Sequence, residues 1–212
     1  MAGKTDKLLT ILRAQPVVPV LIVKDAKSAV PLARALVAGG LKAIEITMRT
    51  PAALDAIKAV AAEVEGANVG AGTIMSAKDF DAAVKAGSTF IVSPGVTRGI
   101  LDAAKASEVP LLPGTANASD VMVLREEGID VVKFFPAEQA GGAPYVKALA
   151  SPLAGTLFCP TGGISLSNAR DYLSLPNVIC VGGSWVAPKE MVAAGDWAGI
   201  NRLASEAAAL KA

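Results

Sequence analysis

Short apolar runs rich in β-branched residues recur along this chain at intervals of roughly 20 to 26 residues, a spacing typical of strands that alternate with helices. The runs are 17–23, 43–47, 68–73, 90–94, 110–115, 131–136, 157–163 and 178–184. Ala-rich segments with helical periodicity, such as 26–38 and 52–63, lie between them. Eight strand-then-helix units predict an α/β fold of the (β/α)8 TIM barrel type.

The principal alternative to a barrel is a doubly wound open sheet. That fold usually has a Gly-rich turn after its first strand, and no such turn follows residues 17–23. No linker, charge run or change of composition divides the chain, so the prediction is a single barrel domain over residues 1–212.

Composition narrows the class of partner. Hydrophobic residues make up 52% of the chain and aromatic residues only 4%, so Ala, Val, Leu and Ile must fill the interior, as in α/β barrels. The formal net charge is only +1, which gives no global field to attract nucleic acid or an anionic membrane. A small-molecule partner is therefore expected.

No apolar run reaches the roughly 18 residues of a membrane span, and the N-terminus lacks a signal-peptide pattern, so a cytoplasmic protein is expected.

Histidine is absent from the sequence, which excludes His-containing zinc sites and a histidine general base. The two cysteines, Cys159 and Cys180, lie in apolar strand-like segments, where a buried, reduced thiol is the expected form. Any chemistry must then come from Lys, Glu, Asp, Tyr, hydroxyl groups or the backbone.

Lys133 is a lone charge within the apolar stretch Val131–Pro136. Loss of hydration in an apolar interior disfavours an ammonium and favours the free amine, a nucleophile that condenses with ketones to a Schiff base. The structural alternative is a lysine that reaches the rim of the sheet or pairs with a carboxylate.

Polar residues are concentrated at the carboxyl ends of the predicted strands, where a barrel carries its active site. One choice of strand register directs Glu45, Thr73, Lys133 and Thr161 into the barrel mouth. Each residue alone has an ordinary structural explanation, such as a rim carboxylate or a capping hydroxyl. Four of them from different strands favour a catalytic site.

Two pairs of adjacent glycines, Gly162-Gly163 and Gly182-Gly183, end the seventh and eighth predicted strands. Backbone N–H groups at glycine can approach an anion closely, and barrels frequently bind phosphate at this place. The pairs predict a phosphorylated substrate, although either pair alone could be a tight turn.

Several longer motifs together resemble one known family, the 2-keto-3-deoxy-6-phosphogluconate (KDPG) aldolases of the Entner-Doudoroff pathway. The motifs are Glu45-Ile46-Thr47-Met48-Arg49-Thr50-Pro51, Val69-Gly70-Ala71-Gly72-Thr73, Val92-Ser93-Pro94-Gly95, Lys133-Phe134-Phe135-Pro136-Ala137-Glu138, Phe158-Cys159-Pro160-Thr161-Gly162-Gly163 and Cys180-Val181-Gly182-Gly183-Ser184-Trp185. The resemblance covers essentially the whole chain. It implies a homotrimeric barrel that reversibly cleaves KDPG to pyruvate and glyceraldehyde 3-phosphate, with no metal and no cofactor.

The resemblance also implies a role for each matched residue. Lys133 stands at the family's Schiff-base lysine and Glu45 at its general acid/base. The remaining positions are Arg49, Thr73 and Thr161 for the pyruvate carboxylate and neighbouring oxygens, Pro94 and Phe135 for the pocket wall, and Gly162, Gly163, Gly182, Gly183 and Ser184 for the phosphate. The loop Pro113–Asp120 departs from the family pattern Pro-Gly-Ile-Ser-Thr-x-Ser-Glu, which bears on fine substrate preference.

Other activities on the same barrel remain open at this point. The sister aldolase for 2-keto-3-deoxy-6-phosphogalactonate carries Asn at the place of Arg49 and lacks the Cys-Pro-Thr before Gly162, so Arg49 and Thr161 favour the gluconate substrate. Activity on 4-hydroxy-2-oxoglutarate (KHG) is a second alternative, because the family includes bifunctional members. A phosphosugar isomerase or epimerase would not need Lys133 in an apolar run, and a non-catalytic scaffold would not need the pair Glu45 and Lys133.

Overall fold

The computed structural model of the protein describes residues 2–210; residues 1, 211 and 212 of the predicted 1–212 domain lie outside this range. The strands are β1 (Val17–Leu21), β2 (Ala43–Thr47), β3 (Asn68–Gly72), β4 (Phe90–Val92), β5 (Leu111–Leu112), β6 (Gly114–Thr115), β7 (Val131–Phe134), β8 (Leu157–Pro160) and β9 (Val181–Gly183). Each predicted apolar run contains an observed strand, so the strand positions are confirmed.

Helices alternate with the strands along the chain. They are α1 (Ala2–Arg13), α2 (Ala26–Ala38), α3 (Ala53–Glu63), α4 (Ala77–Lys85), α5 (Arg98–Ala106), α6 (Ala118–Glu126), α7 (Gly142–Leu149), α8 (Ala169–Leu173), α9 (Lys189–Ala194) and α10 (Trp197–Ala208). The N-terminal cap of α2 is typical of their local chemistry: Asp25 accepts a hydrogen bond from the Ser28 N–H at 2.8 Å and satisfies one of the free donors of the first turn. Within residues 2–210, no helix has both the length and the apolar character needed to cross a bilayer.

The strands pair in parallel and form a curled sheet, which establishes the α/β class. Six strands follow the order β5-β4-β3-β2-β1-β9, and three follow the order β6-β7-β8. Single parallel bridges join Phe158 to Val178 and Thr161 to Gly182, which places β8 beside the segment that leads into β9.

The fifth predicted strand, 110–115, is interrupted at Pro113, which separates β5 from β6. Proline has no N–H to donate to a neighbouring strand. Its carbonyl still accepts a hydrogen bond from the Lys133 N–H at 2.8 Å, so β7 stays in register with this part of the chain.

The register of the strands divides the buried residues between two clusters. The larger cluster joins one strand face to the surrounding helices and includes Ile44 and Phe158. The smaller cluster joins the opposite face to α1, where Leu8 and Leu12 pack with residues such as Cys180. Cα pairing places Glu45 beside Gly70, and Lys133 beside both Gly114 and Cys159. The strand face that packs against α1 thus carries apolar residues and also, at other positions along the strands, the polar residues Glu45 and Lys133.

Candidate active site

Lys133 on β7 and Glu45 on β2 form a buried ion pair, with 3.7 Å between Lys133 Nζ and Glu45 Oε1. Their side chains are only 6% and 4% exposed. Glu45 Oε1 has no hydrogen-bond partner among residues 2–210, and the 3.7 Å separation exceeds ordinary hydrogen-bond length. The structure therefore brings together an amine and a carboxylate with free bonding capacity, as the sequence predicts.

Glycine on the neighbouring strand makes room for the Glu45 carboxylate. A Cβ atom built at Gly72 on β3 would collide with Glu45 Oε1. Since parallel pairing puts Gly72 beside Thr47, two residues beyond Glu45, the carboxylate extends along the strand into the space that Gly72 leaves. Gly72 is thus a packing requirement of Glu45, whereas Gly70 makes room for the Phe90 ring.

Thr73 reaches the site in a different way from the one predicted. Strand β3 ends at Gly72, and Thr73 has φ of 60°, which is rare for a β-branched residue because its side chain crowds the backbone. If the extended strand continued as predicted, alternation would point the Thr73 side chain to the face opposite that of Gly70 and Gly72. A left-handed turn at Thr73 takes the place of that extended strand. In this conformation the Thr73 hydroxyl accepts a hydrogen bond from Arg49 Nε at 3.1 Å.

Aromatic and proline residues flank the lysine. The ring centroid of Phe135 lies 5.1 Å from Lys133 Nζ, within the range of a cation–π contact. Pro94 packs against Gly114, where a Cβ atom would collide with the Pro94 carbonyl group. Because Gly114 pairs with Lys133, Pro94 lies one strand away from the amine.

A cavity of about 590 Å³ opens beside Lys133. The predicted site residues that line it are Arg49, Lys133, Phe135, Thr161, Gly162, Gly163, Gly182, Gly183 and Ser184. Glu45 and Thr73 are outside the lining but contact the lining residues Lys133 and Arg49. Pro94, predicted to wall the pocket, does not line the cavity; it packs against Gly114, which is also outside the lining. Apart from Pro94, the structure gathers the predicted residues, drawn from distant parts of the sequence, around one space.

The loop after β8 has the geometry of an anion site. Gly162 has φ of 104° and Gly163 has φ of 75°, values that glycine adopts without strain. The N–H groups of Gly163 and Ile164 donate to no acceptor within the described part of the chain, whereas the Gly162 N–H faces Gly182 in the parallel bridge between Thr161 and Gly182. These three residues line the cavity, so unpaired donors are available to a bound anion.

Other cavity residues were not predicted from the sequence. Lys24 and Ser28 line the cavity near the start of α2, and Lys189 lines it at the start of α9. Asp25 lines the cavity as well, so together with the two lysines it leaves a net charge of +1 from these three residues. In the sequence the two lysines resemble ordinary surface lysines, so only the folded arrangement distinguishes them.

The cysteines are free and buried, as predicted. Their sulfur atoms lie 3.5 Å apart, and the hydrogen bond with Cys159, together with burial, raises the pKa of the Cys180 thiol. Cys180 therefore stays a protonated thiol and packs as a small apolar group. No group of three or more His, Cys, Asp and Glu side chains suited to a metal ion occurs between residues 2 and 210.

Comparison with known proteins gives consistent matches. The family model "KDPG and KHG aldolase" matches residues 8–203. A 2-dehydro-3-deoxy-phosphogluconate aldolase of Pseudoalteromonas atlantica is 52% identical over 194 residues, which cover 92% of this chain and 90% of the relative.

Two solved structures are similar over almost their whole length. The 2-keto-3-deoxy-6-phosphogluconate aldolase of Zymomonas mobilis, solved with 3-phosphoglycerate, has a TM-score of 0.92 and 50% identity, covering 98% of this chain and 97% of that one. The KDPG aldolase of Legionella pneumophila, with pyruvate captured as a covalent carbinolamine, has a TM-score of 0.92 and 42% identity, covering 94% of this chain and 97% of that one.

Proposed function

This chain belongs to the KDPG and KHG aldolase family, and from that premise we propose that it cleaves 2-keto-3-deoxy-6-phosphogluconate reversibly to pyruvate and glyceraldehyde 3-phosphate through a Schiff base on Lys133. The protein is a carbon–carbon lyase, like the named aldolases that it matches. The observation that carries the proposal is the buried Lys133 amine, 3.7 Å from the Glu45 carboxylate at the edge of the cavity.

Lys133 supplies the electron sink. Lys133 passes its ammonium proton to the paired Glu45 carboxylate, and the free amine attacks the C2 ketone to give a carbinolamine, the species captured with pyruvate in the Legionella relative. Glu45 returns that proton to the carbinolamine hydroxyl, which leaves as water and gives an iminium beside the regenerated carboxylate. The iminium withdraws the electron pair of the C3–C4 bond as that bond breaks. The products of this step are glyceraldehyde 3-phosphate and an enamine of pyruvate on Lys133.

Glu45 moves the protons. As the C3–C4 bond breaks, the carboxylate takes the proton of the C4 hydroxyl, and it later supports protonation of the enamine carbon before water releases pyruvate. Glu45 Oε1 has no hydrogen-bond partner within residues 2–210, so it is free to bond a substrate hydroxyl or a bridging water. Rigid strands hold both groups, which fixes their separation as positioning catalysis requires.

The rest of the cavity orients the two charged ends of the substrate. Arg49, Thr73 and Thr161 hold the carboxylate of the pyruvate half, with the Arg49–Thr73 hydrogen bond fixing the guanidinium. The phosphate lies against the backbone of the two glycine pairs and Ser184, and unpaired N–H groups at Gly163 and Ile164 support that placement. Phe135 walls the pocket beside the amine, and Pro94 packs behind it against Gly114 on the neighbouring strand.

Substrate preference tests this proposal. A phosphate distant from the reacting carbons can contribute binding energy to their orientation, so 2-keto-3-deoxygluconate without phosphate should show lower turnover as well as a higher KM. We expect kcat/KM for the phosphorylated substrate to exceed that for the unphosphorylated one by about 10²-fold or more. Coupled assays of pyruvate release measure both values. Equal values would refute the phosphate site, and no pyruvate from either substrate would refute the aldolase assignment.

The substrate alternatives differ at identifiable residues. Arg49 and Thr161 favour the gluconate over the galactonate substrate, since the sister subgroup differs at both places. Parallel assays with 2-keto-3-deoxy-6-phosphogalactonate and 4-hydroxy-2-oxoglutarate rank the three. A higher kcat/KM for either competitor would replace the gluconate assignment.

The strands are proposed to close into one eight-stranded (β/α)8 barrel that forms a single domain. Two contacts support closure: β5 and β6 are separated only by Pro113, and the Ile179 N–H donates to the Phe158 carbonyl at 3.0 Å beside β8. Closure predicts slow hydrogen exchange at the Ile179 amide, as slow as at central β2 amides. Exchange at the rate of an exposed loop would show an open sheet.

The proposal also includes a homotrimer acting in the cytoplasm. Exposed apolar side chains such as Met75, which is 66% exposed, and Met122, which is 58% exposed, are compatible with contacts between copies. Light scattering of the purified chain measures the oligomeric state, and a monomer mass would refute the trimer. Cell fractionation tests the location.

A further inference from the structure

The loop Gly162–Ile164 is held from behind by hydrogen bonds to its carbonyl groups. The Glu138 N–H donates to the Gly162 carbonyl at 3.1 Å, and Asn168 Nδ2 donates to the Gly163 carbonyl at 3.1 Å. The N–H groups of Gly163 and Ile164 donate to no acceptor found in residues 2–210. The hydrogen bonds of the loop thus hold its carbonyl groups and leave these two N–H groups unpaired.

Peptide geometry converts these contacts into an orientation. In a planar trans peptide, the C=O of one residue and the N–H of the next point in opposite directions. Holding the Gly163 carbonyl toward Asn168 therefore turns the Ile164 N–H away from Asn168, to the side where the loop lines the cavity. The Glu138 contact orients the Gly163 N–H in the same manner.

We propose that Asn168 is a positioning residue that aims the Ile164 N–H at the substrate's phosphate by holding the Gly163 carbonyl. The inference rests on the proposed function, because it requires the phosphate to bind at this loop. Asn168 touches no reacting atom and acts only through the Gly163–Ile164 peptide.

The environment of the Asn168 side chain supports a role in the loop over a role in the helix. Asn168 occupies the N-cap position of α8, yet its side chain makes no capping hydrogen bond to that helix. Instead, Asn168 Oδ1 accepts from the Ser165 N–H at 2.8 Å while Nδ2 donates to Gly163. Both ends of the amide are satisfied in this orientation, so the side chain has one defined rotamer.

A second connection stiffens the Glu138 side of the loop. The Tyr172 hydroxyl of α8 donates a hydrogen bond to Glu138 Oε1, and Tyr172 is fully buried. Burial and the Glu138 carboxylate raise the pKa of Tyr172, so the hydroxyl keeps its proton and remains a donor. Helix α8 thus contacts the glycine loop through both Asn168 and Tyr172.

The variant Asn168→Asp tests the inference with a nearly isosteric change. Aspartate keeps the oxygen that accepts from Ser165, but it replaces the Nδ2 donor with an oxygen that repels the Gly163 carbonyl. We expect KM for the phosphorylated substrate to rise by about tenfold, and inhibition by inorganic phosphate to weaken by a similar factor. KM for unphosphorylated 2-keto-3-deoxygluconate and the yield of trapped pyruvate imine on Lys133 should stay within about twofold.

Two matched variants separate positioning from damage to the fold. Ser167→Ala alters the adjacent exposed residue, whose hydroxyl forms a hydrogen bond with the Ser165 hydroxyl, and it should leave both KM values unchanged. Asn168→Ser, which retains a short donor, should fall between Asp and wild type. Equal losses on both substrates, or an unchanged phosphate affinity in Asn168→Asp, would overturn the inference. If the wild-type protein had the same KM for both substrates, the proposed phosphate site itself would be wrong. This wild-type control therefore distinguishes failure of the proposed function from failure of the inference about Asn168.

Discussion

Replacing Lys133 with glutamine should lower turnover by about 10⁴-fold or more, because the covalent route closes while the fold remains intact. Enzymes accelerate their reactions by about 10⁶-fold or more, and in this mechanism the iminium supplies the electron sink for the whole reaction. Glutamine keeps most of the lysine's length and can donate a hydrogen bond to the buried Glu45 carboxylate, which limits the cost of leaving that charge without its partner. Steady-state assays measure the loss.

Chemical trapping gives the same prediction a direct readout. Borohydride with pyruvate should attach one reduced pyruvate to the wild-type peptide that contains Lys133, and none to Lys133→Gln. Lys147 on α7 is an exposed lysine and provides the control, since Lys147→Gln should trap pyruvate and turn over like wild type. An adduct found only at Lys147 would disprove the Schiff-base assignment.

Replacing Glu45 with glutamine should lower kcat by about 10²- to 10⁴-fold, the usual contribution of a general acid/base, while retaining imine formation with pyruvate. The substitution preserves shape and removes the proton acceptor. Stopped assays give kcat, and borohydride trapping gives the imine yield. A wild-type kcat in Glu45→Gln would reduce Glu45 to a structural role.

A packing variant can displace the same carboxylate without changing it. Gly72→Ala places a methyl group where Glu45 Oε1 now lies, so kcat should fall although both catalytic residues are intact. Gly99→Ala on α5 is the matched control, because a Cβ atom there meets nothing within 4 Å. The same loss in both variants would mean that a general effect on stability, and not the position of Glu45, lowers activity.

The sequence predicts the strands well because each buried parallel strand is a continuous apolar run between glycine or polar segments. The break at Pro113 between β5 and β6 was the exception. Proline has no N–H, and whether this interrupts a strand depends on whether the neighbouring strand has an acceptor for that N–H. The conformation of Thr73 was also missed. Threonine disfavours positive φ, so the local sequence gives no reason to expect the turn that tertiary contacts impose.

Lys133 and Glu45 were predictable as candidate site residues because they are charges in apolar strands, which is a pattern visible along the chain. Their 3.7 Å separation was not, because it depends on how far the strands curl. Asn168 shows a further limit of sequence reasoning. An asparagine just before a helix predicts an N-cap, and only the folded loop shows that its amide binds Gly163 instead.

The pairing of β1 with β9 has a consequence for synthesis on the ribosome. Val17 pairs with Val181, and Pro19 with Gly183, so one edge of an early strand waits for partners near the far end of the chain. At elongation rates of about 5 to 20 residues per second, that delay is on the order of ten seconds. During this time β1 presents unpaired backbone groups to other nascent chains. Slower elongation between the two strands lengthens the time for which this edge of β1 is unpaired.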